Sequence, residues 1–168
     1  LMEALQQSAF RDGLTGLYNR KFLEEHTKKL IPQALRDKFN IGVLLLDMDH
    51  FKAVNDEYGH DIGDKVLKEL ARILNETIRE SDIIIRYGGE EFIVLLVNIK
   101  TEEQAISVAN KIRIKVSENE IDVYAGSELR TTVSIGLSMF PEDSSSLESV
   151  IKNADIALYE AKSKGRNQ

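Results

Sequence analysis

Ile83-Ile84-Ile85-Arg86-Tyr87-Gly88-Gly89-Glu90-Glu91-Phe92-Ile93-Val94-Leu95-Leu96-Val97 reads as two strands joined by a tight turn. Ile83–Tyr87 and Phe92–Val97 are short β-branched and aliphatic runs, and Gly88-Gly89 between them is hairpin chemistry. Upstream, Ile41–Leu46 is a nearly unbroken apolar run ending in Asp47-Met48-Asp49, the pattern of a strand covered on both faces. Between that strand and the hairpin, Phe51–Tyr58 reads as a short helix closed by Gly59. Asp61–Arg79 reads as an amphipathic helix with Val66, Leu67, Leu70, Ile73, Leu74 and Ile78 inward. Beyond the hairpin, Glu102–Val116 is helical, Thr132–Phe140 is strand-like and Leu147–Lys162 is a final amphipathic helix. The order strand, helix, strand, strand, helix, strand predicts an α+β fold with a split βαβ, ferredoxin-like core sheet flanked by helices.

Further out, Asp12–Arg20 is a turn-rich loop, and Asn19 is placed to cap a helix starting at Arg20. Phe22, Leu23, His26 and Leu30 share one face of that helix, and Pro32 is expected to break or restart it. Leu1–Phe10 reads as the tail of a helix, either arriving from a preceding segment or packing on the domain. Residues 1–11 are therefore assigned to the end of an incoming signalling helix and residues 12–168 to one domain. Ser144–Ser146 is a short loop, and no internal repeat or low-complexity stretch is present.

Composition narrows the function classes. The chain of 168 residues can bury one core. It has no cysteine, which excludes disulfides and thiolate metal sites. A net charge of −6 argues against non-specific nucleic-acid binding. No apolar run approaches the ~20 residues of a membrane helix, and Leu1–Phe10 is no signal peptide. The expectation is a cytoplasmic domain without membrane contact of its own.

Topology gives two acidic clusters a meeting point. In a split βαβ unit the third strand lies between the first two and runs against them. The end of the first strand, Asp47, then sits beside the start of the third, Glu90 and Glu91, although forty-three positions separate Asp47 from Glu90. Carboxylates gathered in this way repel unless a cation offsets them. Mg²⁺ prefers such oxygen ligands together with substrate phosphates. Gly88 and Gly89, bare of side chains, leave room for a ligand at the turn.

At Gly88-Gly89-Glu90-Glu91-Phe92 the chain resembles the GGDEF family of diguanylate cyclases in its Gly-Gly-Glu-Glu-Phe form. The resemblance extends over Asp12–Arg20, Leu46–Asp56, Gly59–Asp64 and Ala161–Asn167, in the family's order. It implies a nucleotide-cyclase or polymerase-palm-like core that condenses two GTP into cyclic di-GMP, with Mg²⁺ as cofactor and Mn²⁺ as its substitute. It further implies a transient homodimer in which each domain holds one GTP, fed by an N-terminal sensor or dimerisation module.

The resemblance also distributes roles. Asp47, Glu90 and the Met48 carbonyl are implied metal ligands, Glu91 joins a second metal, and Asp49 is a supporting carboxylate. Glu90 is the implied proton acceptor and Lys52 the cation that offsets charge on the phosphate. Asn55 and Asp64 are implied guanine readers, with His60 between them. An acceptor-only carboxylate suits the N1–H and N2–H₂ donors of guanine and repels the N1 lone pair of adenine. Lys162 and Arg166 resemble triphosphate contacts, although basic residues also favour helix C-termini. Arg79 and Asp82 match the family's Arg-x-x-Asp inhibitory product site, where arginine can bond bidentately to a guanine edge.

Two other readings compete. Asp47-x-Asp49 after an apolar strand also suggests a haloacid-dehalogenase-like phosphatase, but the repeated βαβ order of that fold is missing. A catalytically silent module that binds GTP or cyclic di-GMP is the stronger rival. It typically loses metal or turn residues, and Asp47, Lys52, Gly88, Gly89 and Glu90 are all present.

Overall fold

The computed structural model describes residues 9–124, 126–144 and 146–168. Most of the expected incoming helix, residues 1–8, lies outside the described residues. The elements in order are β1 (Tyr18–Asn19), α1 (Arg20–Asp37), β2 (Asn40–Met48), α2 (Phe51–Tyr58), α3 (His60–Thr77), β3 (Ile83–Arg86), β4 (Glu91–Ile99), α4 (Glu102–Glu118), β5 (Ile121–Asp122), β6 (Glu128–Leu129), β7 (Val133–Phe140) and α5 (Leu147–Ser163). The main sheet has the order β1-β3-β4-β2-β7, with β4 antiparallel to both β2 and β3. This is the expected split βαβ arrangement, extended at one edge by β1, which pairs parallel to β3. Neither β1 nor the small β5–β6 hairpin was foreseen, because each strand has two residues and no periodicity to read.

Helices cover both faces. Leu44, Leu46, Phe92, Val94 and Leu96 point to one face, against α3 and α4. Val43, Leu45, Ile93 and Leu95 point to the other, against α1 and α5. Each large apolar side chain so buried contributes roughly 1.5–3 kcal/mol. Gly136 on β7 lets α5 lie directly on the strand, because a Cβ there would overlap the Ala154 carbonyl oxygen.

Asn19 caps α1 as expected, its Oδ1 accepting from Phe22 N at 3.0 Å. Pro32 does not break that helix, which runs on to Asp37. Pro32 and Lys28 lie on the exposed side, where water can satisfy the Lys28 carbonyl left without its i+4 donor. Leu30 and Ala34, buried on either side of Pro32, hold the two halves on the sheet. Among the described residues, no helix is long and apolar enough to cross a membrane.

Candidate active site

The end of β2, the start of β4 and the end of α5 meet at one edge of the sheet. Asp47 lies directly across from Glu91 in the strand register. Glu90 precedes Glu91, and its carbonyl accepts from Met48 N at 3.3 Å. Strand alternation puts Asp47 and Glu91 on the face that α5 covers. From α5, Lys162 brings its Nζ to 3.4 Å from Asp47 Oδ1 and 3.6 Å from Asp49 Oδ1. The two distant acidic clusters therefore meet where the topology argument puts them.

Four carboxylates, Asp47, Asp49, Glu90 and Glu91, here gather around Lys162. Burial lifts the Asp47 carboxyl above its ordinary value, against the opposing pull of Lys162. Burial and then the Asp47 charge lift Glu90, and the same two causes followed by Asp155 on α5 lift Glu91. Asp47 Oδ1 is buried without a hydrogen-bond partner; Lys162 is at ion-pair distance but outside hydrogen-bond geometry. A buried acceptor left unmade costs about 1–3 kcal/mol. A hard divalent cation would take that oxygen and offset the repulsion. Among the described residues no three Asp, Glu or His side chains form a ready-made cage. Mg²⁺ needs none, since it binds through one or two carboxylates plus water and substrate phosphates. The donor set fits an ion shared with a polyphosphate.

Asp49 is different in kind. It is 3% exposed, and its oxygens accept from Thr132 Oγ1 at 2.7 Å, Ser134 Oγ at 2.7 Å and Asn167 N at 3.1 Å. It fastens the chain's tail to the end of β2 and has little capacity left for a ligand. Arg166, next to that anchor, is exposed with a left-handed φ of 65°.

The glycine turn is closed by Tyr87 N and Gly88 N, which donate to the Glu91 carbonyl at 2.8 and 3.1 Å. A Cβ at Gly89 would meet open space. An unforeseen clamp holds this turn from behind. Arg86 donates through Nη2 to the Gly89 carbonyl at 2.8 Å and through Nη1 to both Asp12 oxygens at 3.1 Å. Asp12 also accepts from Thr15 N and Oγ1. Its carboxyl is held below the ordinary range by these Thr15 and Arg86 bonds, against burial, the largest single influence, which works to raise it.

Beyond the acidic edge, Lys52 and Asn55 lie on α2, and His60 and Asp64 on the first two turns of α3. Lys52, His60 and Asp64 are exposed, while Asn55 is half-buried and its Oδ1 is buried without a partner. The short α2–α3 turn at Gly59, with φ of 91°, sets Asn55 on α2 against the backbone of α3 at Gly63.

Arg79 and Asp82 stand elsewhere, before the start of β3. Six strand positions at ~3.3 Å each put them about 20 Å from the glycine turn. Arg79 donates to Asp82 through Nε and Nη2 at 3.0 Å each, and to the Val97 carbonyl. Asp82 also accepts from Val97 N at 2.9 Å, so this carboxylate helps hold β4 as well as the arginine. A groove of about 470 Å³ opens beside the pair, lined also by Arg11 and Tyr18.

The chain is 43% identical over its whole length to YhcK of Bacillus subtilis, covering 47% of that protein. It is 40% identical over 95% of its length to the response regulator PleD of Caulobacter vibrioides, covering 35% of it. It thus spans less than half the length of these relatives. Among solved structures, the coiled coil and GGDEF domain of DgcB from Caulobacter crescentus, in complex with c-di-GMP, superimposes with a TM-score of 0.91 at 31% identity, over 99% of this chain and 87% of that one. The model of the diguanylate cyclase GGDEF domain matches residues 9–168, and the chain belongs to that family.

Proposed function

We propose that this domain condenses two GTP into cyclic di-GMP and two pyrophosphates, each of two paired domains holding one GTP. The observation that carries this reading is the buried Asp47 Oδ1, which accepts no hydrogen bond and has only Lys162 at ion-pair distance, across from Glu91 and beside the glycine turn. Asp47, the Met48 carbonyl, Glu90 and Glu91 would hold Mg²⁺, which supplies charge offset at the phosphates and acidifies a hydroxyl beside them. Lys52, Lys162 and Arg166 add cationic charge along the triphosphate. Lys162 can leave its carboxylate partners for a phosphate without losing an ion pair. Asn55, His60 and Asp64 hold the guanine.

The bond-making is an in-line displacement. The 3′-oxygen of one nucleotide attacks the α-phosphorus of the other, the bond to the bridging oxygen breaks, and pyrophosphate leaves. Glu90 accepts the hydroxyl proton. Two such steps close the ring. Arg79 and Asp82 would bind the product; the complex of the DgcB neighbour with c-di-GMP supports product recognition in this family.

Incubating the chain with GTP and Mg²⁺ and separating products by mass tests the reading. Cyclic di-GMP and pyrophosphate in a 1:2 ratio is expected. GTP binding without turnover at any protein concentration would leave the silent binding module in its place.

A further inference from the structure

Gly63 lies in the first turn of α3 and is buried. Glycine inside a helix is less favourable than alanine by backbone entropy alone, so its presence there asks for a local reason. A Cβ built at this position would overlap Asn55 Oδ1 and stand 2.9 Å from Asn55 Cγ. Behind the carboxamide lies Phe51, whose Cζ would be 3.4 Å from the same Cβ. The Asn55 oxygen is therefore lodged against the bare backbone of α3, buried and without a hydrogen-bond partner. Unlike its oxygen, the Asn55 Nδ2 is not a buried atom without a partner, and among the described residues its NH₂ makes no hydrogen bond, so it stays open to a ligand.

We infer that Gly63 is a positioning and specificity-determining residue, which seats the Asn55 carboxamide so that it offers a donor beside the acceptor-only carboxylate of Asp64. This rests on the reading of Asn55 and Asp64 as base contacts. A donor next to an acceptor selects a base edge that carries an acceptor next to donors, which guanine has. Any side chain at position 63 would push the carboxamide out toward the base and spoil that pairing. The bare helix backbone then works through Asn55, without touching the nucleotide.

Calorimetric binding of a non-hydrolysable GTP analogue with Mg²⁺, steady-state rates and melting curves on Gly63→Ala, Asn55→Ala and the double variant test this. Gly63→Ala should weaken binding and raise KM by about tenfold while kcat changes little, the scale of one hydrogen bond lost to the base. In the Asn55→Ala background, where the obstructing amide is gone, Gly63→Ala should leave affinity unchanged and raise the melting temperature. The melting curves keep the test valid if the single variant is destabilised. Normal affinity in Gly63→Ala, with Asn55→Ala weakened, would overturn the inference alone. An equal further loss from Gly63→Ala in both backgrounds would overturn it too, by showing general packing damage. Normal affinity in Asn55→Ala would remove the base-contact reading on which the inference stands.

Discussion

Asp47 is held in the folded chain at a cost. Its carboxyl is lifted by burial, and Glu90 and Glu91 are lifted by burial and by its charge. A carboxyl whose folded pKa exceeds its unfolded one contributes stability below the unfolded value and loses it as pH rises through the folded value. Metal-free protein should therefore lose stability through this cluster as pH rises from the ordinary carboxylate range, near 4, toward neutrality. His26 works with the opposite sign, because burial lowers its pKa and charging it on acidification opposes folding. The readable quantity is thus the difference between wild type and Asp47→Asn, in which His26 cancels. Without metal at pH 7, Asp47→Asn should melt about 2–4 °C higher, a gain near 1 kcal/mol, and the gap should close on acidification. The same variant should lose turnover. A lower melting temperature at neutral pH would show that Lys162 outweighs the repulsion. Selectivity is a second residue-scale matter. Asp64→Asn replaces an acceptor-only group with one that can also donate, so the GTP/ATP ratio of kcat/KM should fall by roughly tenfold or more. An unchanged ratio would place guanine recognition elsewhere.

At the scale of elements, the site depends on how closely α5 approaches β7. The Ala154 carbonyl and Leu158 amide sit where a Gly136 Cβ would go. Gly136→Ala should destabilise by about 1–3 kcal/mol, the usual range for overpacking, and should lower activity beyond the unfolded fraction, because Lys162 rides on α5. Chemical denaturation combined with rates on the folded fraction checks both. The same elements explain what could be read in advance. The hairpin around Gly88-Gly89, β2 and α3 were legible because long apolar runs and helical periodicity survive in one dimension. The meeting of Asp47 with Glu90 and Glu91 followed from strand order alone. The passage of α1 through Pro32 was not legible, since it depends on which side of the helix faces water. The Arg86 clamp joins positions seventy-four apart, and nothing local marks a pair at that distance. Gly63 carried a weak signal, a glycine where a helix disfavours one, but its reason appears only when Asn55 is seen against it.

At the scale of the whole molecule, the two proposed sites lie at opposite ends of the β3–β4 hairpin, so product at Arg79 cannot block the acidic edge by occupying it. Product bound at that proposed site would act instead on how domains pair. Arg79 is 57% exposed, but the Asp82 carboxylate it holds bidentately is 2% exposed, so Arg79→Ala should cost some stability and, measured on the folded fraction, raise the inhibitory constant for cyclic di-GMP by about tenfold or more, at ~1–3 kcal/mol per bidentate guanine contact. Unchanged inhibition would move the product site. Pairing itself sets the last expectation. In the proposed reaction each domain would hold one nucleotide, and a product of two nucleotides related by a twofold axis would require two sites facing each other. A stable interface needs about 800 Å² from each partner. The exposed large apolar residues among those described, Leu35, Ile106, Ile114, Tyr124, Ile156 and Tyr159, are divided among α1, α4, the β5–β6 hairpin and α5. No single face collects them, so the 168-residue chain should be mainly monomeric when dilute. Well below the dimer constant, the fraction paired rises linearly with concentration, so rate per enzyme should fall tenfold for each tenfold dilution and level off only at high concentration. A parallel coiled coil fused ahead of Leu1 in the right helical phase should flatten this profile by supplying a local concentration near the millimolar range. Sedimentation and initial rates over the same dilution series test this together. A rate per enzyme that stays constant where the protein sediments as a monomer would exclude the two-domain reaction for this chain.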